Sequence, residues 1–132
     1  MRIATIDRDA AGPPPNAEWF PGGPVRMQAI NNPETDGVQM LSVWFDAGAR
    51  TRPHIHVCDQ ILHVVEGEGV VATADEKRII RVGDVVIVPE GVWHWHGATP
   101  DSAMCHLSIK PPGPTHWDQP FEDWDAYMEG AS

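Results

Sequence analysis

Residues 48–67 read GARTRPHIHVCDQILHVVEG and hold two histidines, His54 and His56, that are separated by a single residue. Alternate side chains of a β-strand lie on one face of the sheet, so the two imidazoles are expected to point the same way. Residues 83–98 read GDVVIVPEGVWHWHGA and supply His94 behind a Pro-Glu-Gly turn that brings the chain back towards the first pair. Imidazole suits first-row transition metals, and the spacing therefore predicts that three histidines hold one ion with positions left open for a ligand.

The rest of the chain is typical of an all-β fold. Short runs rich in β-branched and aromatic residues recur from Val25 to Lys110, and the 12 glycines and 13 prolines fall between many of them as turn residues. We count about nine such runs, among them separate strands at QILHVVEG and VVATA. No intervening segment is long enough for a crossover helix, so we expect an antiparallel sandwich or barrel.

The length of 132 residues fits one domain with three parts. Residues 1–23 are rich in Pro and Gly and predict an extended arm, which Trp19 and Phe20 would fix to the body. Residues 24–110 form the barrel and residues 111–132 form a tail. Within the tail, FEDWDAYM (residues 121–128) has an apolar stripe at helical spacing, and we expect it to be the one helix.

Composition excludes several classes of partner. The formal net charge is −10, so long-range electrostatics oppose binding to nucleic acid or to an anionic membrane surface. No apolar run approaches the roughly 18 residues that a membrane span needs, and the N-terminus lacks the apolar core of a signal peptide. The two cysteines, Cys58 and Cys105, are too few for a disulfide framework, although a single disulfide stays possible. We therefore expect a cytoplasmic protein that is neither nucleic-acid-binding nor membrane-bound.

The two histidine-containing segments resemble the paired motifs of the cupin superfamily of small β-barrels. The first motif of that family reads G-x5-H-x-H-x3,4-E-x6-G and the second reads G-x5-P-x-G-x2-H-x3-N. The resemblance runs from Gly48 to Ala98 and implies a cupin (double-stranded β-helix, jelly-roll) barrel. Two positions depart from it: Gln60 replaces the usual glutamate ligand, and Ala98 replaces the asparagine. A neutral amide removes one negative charge from the ligand set, which favours Lewis-acid chemistry and makes activation of oxygen less certain.

More narrowly, the run HWHGATPDSAMCHLSI, Glu18-Trp19-Phe20 and the glutamine resemble bacterial cupins related to manganese-dependent hydroxynitrile lyases. Many of these are classed as carboxymuconolactone-decarboxylase-like. The resemblance implies one divalent metal per chain, most simply Mn(II), with Fe(II), Ni(II) or Zn(II) as alternatives. It assigns as ligands His54, His56, Gln60 and His94. The segment Thr51-Arg52-Pro53 departs from the group, so the mouth of the site, and with it the substrate, is expected to differ.

His96 and His106 are the candidate catalytic residues. His96 has the same strand parity as His94 and is expected to face the interior near the ion, where a neutral imidazole can act as a general base. His106 lies on AMCHLSIK, where Met104, His106 and Ser108 share one face and the alternate residues share the other. The related cupins carry histidines at both positions in the cavity. The alternative is that both only support the ligands by hydrogen bonding.

Several further side chains are assigned by parity. On VQMLSVWF, the residues that line the cavity are either Met40, Ser42 and Trp44 or Leu41, Val43 and Phe45. The alternation predicts that Trp93 and Trp95 pack outside the barrel or between subunits and that His63 points outward. We expect His116 to lie on the surface and Cys58 to be a loop thiol, with ligation by cysteine as a minor alternative.

Three functions fit these observations. The first is a metal-dependent lyase that acts on a small oxygenated molecule, as in cyanohydrin cleavage, with a histidine that moves the proton. The second is a cupin dioxygenase, which alone would consume oxygen. The third is a barrel that binds a sugar or small acid without turnover. Because small barrels often pair an exposed sheet face, we also expect a homodimer or homotetramer.

Overall fold

The computed structural model describes residues 1–121 and 126–132. Within these residues the chain forms nine strands: β1 (Val25–Ala29), β2 (Gln39–Phe45), β3 (Ile55–His56), β4 (Gln60–Thr73), β5 (Lys77–Arg81), β6 (Val85–Val88), β7 (His94–Ala98), β8 (Met104–Lys110) and β9 (Thr115–His116). One short helix, α1 (Pro33–Asp36), lies between β1 and β2, and the N-terminal arm contains 3₁₀ turns at Arg8–Ala10 and Ala17–Trp19. The predicted all-β class and cupin barrel are confirmed.

Strand β4 organises the barrel because it belongs to both of its walls. Its first half pairs with β6 on one side and β8 on the other, and its second half pairs with β5 and β7. The wall that contains β8 continues through β2 to β1, and every pairing is antiparallel, as expected. A curled sheet of this kind encloses an interior lined by alternate residues of each strand.

The two predicted strands QILHVVEG and VVATA are one continuous strand of 14 residues, so the predicted break is wrong. The strand bends instead. The register with β8 shifts between Val64 and Glu66, and Gly67 follows with a φ of 72°. A Cβ at residue 67 would collide with the carbonyl of Ala103, which explains why glycine stands where the strand passes from one wall to the other.

Helix α1 was not expected. Its start is favoured locally, since the side chain of Asn32 accepts a hydrogen bond from the amide of Glu34 (3.1 Å) and a proline occupies the first helical position. The helix expected at 121–128 falls largely on residues 122–125, which lie outside the described residues; residues 126–130 form a turn.

Both ends of the chain pack on the barrel. The Trp19 ring stacks on that of Trp117 with 4.7 Å between ring centres, and Phe20 is buried in the main core, which confirms that they fix the arm. Trp95 points out of the barrel, as predicted, but it is covered by its own tail: it packs with Val70 and Ala72 beneath Tyr127 and Met128. This tryptophan is therefore not part of an interface between subunits.

The state of the cysteines and the length of the helices match what the sequence predicts. Cys58 and Cys105 are free thiols, and Cys105 is buried. Burial and the nearby Glu66 raise the pKa of the Cys105 thiol to about 12, so this thiol stays protonated. No helix among the described residues is long and apolar enough to cross a membrane.

Candidate metal centre and cavity

Three histidines predicted from spacing alone come together at one end of the barrel interior. One ring nitrogen from each of His54, His56 and His94 lies within 4.8 Å of the others, and all three residues are buried. His54 and His94 are joined by two backbone hydrogen bonds of 2.9 and 3.1 Å, which fasten the segment before β3 to the start of β7. The three side chains are therefore placed to bind a single metal ion.

The second nitrogen of each imidazole is engaged by the protein. Nδ1 of His54 donates to the carbonyl of Arg52 (2.7 Å), and Nδ1 of His94 donates to the carbonyl of Val92 (2.9 Å). Nδ1 of His56 lies 3.0 Å from the hydroxyl of Thr115. A proton held at Nδ1 leaves a lone pair at Nε2, and Nε2 of His56 is buried without a hydrogen-bond partner. Each ring is thus oriented with Nε2 towards the common centre.

Burial keeps these imidazoles neutral. It lowers the pKa of His54 well below its usual 6.5 and the pKa of His56 and of His94 to about 4. Neighbouring histidines depress the values of His54 and His56 further, because a second buried positive charge is unfavourable. Neutral imidazole is the form that binds a metal, so the cluster is ready to ligate at physiological pH.

Gln60 supplies the clearest sign that a cation belongs here. Its Nε2 donates to the hydroxyl of Ser108 (2.9 Å), and this turns its Oε1 towards Nε2 of His94 at 3.1 Å. With the His94 proton held at Nδ1, the Gln60 oxygen and the His94 nitrogen face each other as two acceptors with no proton between them. A metal ion beside both atoms resolves this, and 3.1 Å is about the separation of adjacent ligands with bonds near 2.1 Å.

His96 and His106, the predicted catalytic residues, form a hydrogen-bonded pair deeper in the interior. Nε2 of His106 lies 2.9 Å from Nδ1 of His96, and both residues are buried. The His96 ring centre is 5.5 Å from that of His54, so the pair adjoins the metal-binding cluster. Nε2 of His96 has no hydrogen-bond partner, and burial lowers the pKa of both histidines, that of His106 to about 4.

A cavity of about 240 Å³ is lined by two histidines of the metal-binding cluster, His54 and His56, and by both members of the histidine pair. Strand alternation left open which set of residues on β2 and on β8 faces the cavity. Leu41, Val43 and Phe45 face it from β2, and His106 and Ser108 face it from β8. A larger groove of about 660 Å³ runs along the outer face of β5 and β6 and contains none of these histidines. The candidate metal site therefore lies at the smaller, interior cavity.

Other predicted positions are confirmed. His63 points away from the cavity and is half-buried, and His116 is exposed on β9. Cys58 contacts the carbonyl of Pro111 (3.5 Å) and does not join the metal-binding cluster among the described residues.

Sequence reasoning missed several cavity residues, among them Lys110, Thr115 and Trp117. Thr115 and Trp117 come from the segment treated as a tail, which returns through β9 to pair with β3. Lys110 continues the inward parity of His106 and Ser108, so alternation on β8 was the signal that could have found it.

Comparison with known proteins agrees with this geometry. Residues 32–110 match the cupin domain family. The chain is 39% identical over 112 residues to an (R)-mandelonitrile lyase of Granulicella tundricola, which covers 83% of this chain and 84% of that protein. A gentisate 1,2-dioxygenase of a Ralstonia species is 42% identical over 57 residues, covering 42% of this chain and 16% of that enzyme.

A crystal structure of a cupin-like protein from Thermotoga maritima superimposes with a TM-score of 0.83 at 32% sequence identity and covers 96% of this chain and 98% of the other. The family match spans more than half of the chain, and the interior histidines occupy the positions that the two motifs assign. This chain belongs to the cupin family.

Proposed function

We propose that the protein is a metal-dependent lyase that cleaves or forms cyanohydrins. The observation that carries the proposal is the convergence, in one cavity, of three metal-directed imidazoles and a separate hydrogen-bonded histidine pair. Similarity to a protein named (R)-mandelonitrile lyase over most of both chains supports this reaction class.

The ligands in this proposal are His54, His56, His94 and Gln60, and the ion is Mn(II). Every ligand is neutral, and the amide oxygen belongs to the class of donors that suit manganese; Fe(II), Ni(II) and Zn(II) also fit imidazole. When bound, the ion would act as a Lewis acid that makes a hydroxyl oxygen of the substrate more acidic.

The histidine pair would move the proton. When Nδ1 of His96 donates to Nε2 of His106, Nε2 of His96 carries no proton and can accept one from the substrate. As Nε2 gains that proton, Nδ1 can pass its own proton to Nε2 of His106, which then carries the positive charge. The pair accepts the hydroxyl proton of the cyanohydrin while the carbon–carbon bond breaks, its electrons leave as cyanide, and the carbonyl forms. The same proton then converts cyanide to hydrogen cyanide, so the histidines end as they began.

The apolar walls would hold the organic part of the substrate. Phe45 packs against the His106 ring, with 5.3 Å between ring centres, and the stacked rings of Trp19 and Trp117 close another side. An aromatic aldehyde of the size of benzaldehyde is consistent with a cavity of about 240 Å³.

The test begins with metal content, measured by plasma mass spectrometry on untagged wild type, His54→Ala and the outward-facing control His63→Ala. We expect about one transition metal per chain in wild type and in the control, and its loss in His54→Ala, because one of three imidazole ligands is removed. Protein that stays metal-free after reconstitution with Mn and Fe would overturn the proposal.

Reaction class is then decided by assaying mandelonitrile cleavage and oxygen uptake for each loaded metal. Cleavage without oxygen consumption supports the lyase. The partial match to a gentisate 1,2-dioxygenase makes oxidative cleavage the second candidate, and oxygen uptake with a diol or phenolic acid would favour it.

We also propose that a second copy of the chain covers the outer face of β6. Val82, Val85 and Ile87 are each more than half exposed there, and such a patch favours self-association. Light scattering should give a mass of twice 14.5 kDa or a higher multiple, and a monomer at micromolar concentration would contradict this.

The two free thiols support a reducing, cytoplasmic location.

A further inference from the structure

Lys110 is a buried lysine that faces the cavity. It is the last residue of β8, follows His106 and Ser108 on the inward face of that strand, and is only 8% exposed. Lysine is almost never buried to this degree unless it is paired with an opposite charge. Its presence beside the metal-binding cluster therefore needs an explanation.

No acidic side chain among the described residues neutralises this charge. The Lys110 ammonium donates to the carbonyls of Pro111 (3.3 Å) and Gly113 (3.4 Å), both long contacts to uncharged acceptors. None of the salt bridges formed by the described residues includes it. An ammonium has three protons to donate, so the two carbonyls leave room for a further acceptor.

The cavity as a whole carries positive charge. No aspartate or glutamate lines it among the described residues. Lys110 lines the same cavity as His54 and His56. A divalent ion held by neutral ligands adds two more positive charges. Buried charge without compensation is unfavourable, so the filled site is best completed by an anion.

We propose that Lys110 forms an anion subsite in this cavity for a small organic carboxylate with an apolar body. This inference goes beyond the proposed function, because a cyanohydrin carries no carboxylate and the subsite assigns a further class of ligand to the same cavity.

Two features favour a carboxylate over phosphate. A single lysine is a compact point charge, whereas phosphate sites in proteins typically add arginine or a row of backbone amides. Most of the remaining lining is apolar, with Leu41, Val43 and Phe45 on one side and Trp117 on another; the uncharged Gln39, Thr51 and Thr115 complete it. A carboxylate on a short apolar or aromatic skeleton matches both the charge and the walls.

The experiment titrates mandelate and its neutral amide, mandelamide, into the protein by calorimetry, with metal-free and Mn-loaded samples measured separately. The variants are Lys110→Gln, Lys110→Arg, which retains the charge, and Arg78→Gln, which removes a charge from the exposed side of β5. Near-UV circular dichroism checks that each variant is folded.

We expect wild type to prefer mandelate over mandelamide in both metal states. Lys110→Gln should weaken the binding of mandelate at least about tenfold, because a hydrogen bond to a charged group contributes this much to affinity. The affinity for mandelamide should stay unchanged. Lys110→Arg should retain most of the preference, and Arg78→Gln should retain all of it. Equal affinity for the two ligands in metal-free wild type, or equal weakening of both by Lys110→Gln, would overturn the subsite.

A competition titration then compares how well acetate and inorganic phosphate displace mandelate. Acetate should be the better competitor, and equal displacement by phosphate would overturn the assignment to a carboxylate. The inference and the proposed function fail separately. Mandelonitrile cleavage without a preference for mandelate overturns only the Lys110 subsite. Preference for mandelate without any mandelonitrile cleavage supports the subsite and contradicts the lyase.

Discussion

Two groups of histidines lie a few ångströms apart in one cavity and are built for different tasks. His54, His56 and His94 each bond to the protein through Nδ1 and direct Nε2 to a shared centre. His96 and His106 bond to each other. All five are buried, and burial is the largest cause that lowers the pKa of each.

Burial and titration therefore do not distinguish a metal ligand from a proton carrier here. The difference is the partner of the second ring nitrogen. A carbonyl or hydroxyl at Nδ1 keeps the imidazole in one tautomer, which suits a ligand, whereas a second imidazole can exchange a proton with the first, which suits acid–base chemistry. The predictions below test this division.

The largest effect that separates the two groups should come from His106→Ala. We expect mandelonitrile turnover to fall by about 10²–10⁴-fold, because the proton relay is lost, while metal content stays at the wild-type level. Steady-state kinetics and plasma mass spectrometry on the same sample give both values. Loss of the metal in this variant would show that the pair supports the ligands instead.

A smaller effect is expected from Ser108→Ala, which removes the acceptor that orients the Gln60 amide. Metal affinity should fall by about 10-fold, in the range seen when groups behind the ligands are removed. Competition with a chelator measures this. Gln60→Glu in the same background should recover affinity, since a carboxylate presents an oxygen in either orientation; no recovery would contradict a ligand role for residue 60.

Acidification should distinguish the two groups least, because in metal-free protein it acts on both. The folded-state pKa of His56, His94 and His106 is about 4, against 6.5 for the unfolded chain. Between these values the unfolded state binds more protons, so the free energy of unfolding should decrease as pH falls from about 6.5 to 4. Urea denaturation at several pH values measures this.

His106→Leu should reduce the slope of that pH dependence, because one of the titrating groups is gone. A free energy of unfolding that is constant between pH 6.5 and 4 would mean that these histidines are not buried in the neutral form.

Much of the site was predictable because it depends on strand alternation. Two histidines one residue apart must share a face, and His94 and His96 follow the same rule, so the metal-binding cluster and the interior position of His96 follow from parity. Alternation also limited the residues of β2 that could line the cavity to two alternate sets. It does not say which set faces inward, because that depends on which side of the sheet curls around the cavity.

The sequence by itself determined the class of fold, and it placed His54 with His56 and His94 with His96 on one face, since each pair depends on periodicity within one strand. The convergence of the two pairs and the inward position of His106 were expected from the turn and from the family resemblance, because alternation left the inward face of β8 open. Only the tertiary structure decided which hydrogen bonds link these histidines to each other and orient the Gln60 ligand. The His96–His106 hydrogen bond links strands that do not pair with each other, and Ser108 orients Gln60 across 48 residues of chain.

Trp117 and Thr115 reach the cavity because the chain returns through β9 after a proline-rich turn. Such contacts depend on how distant segments meet in space, and no local pattern of residues encodes that.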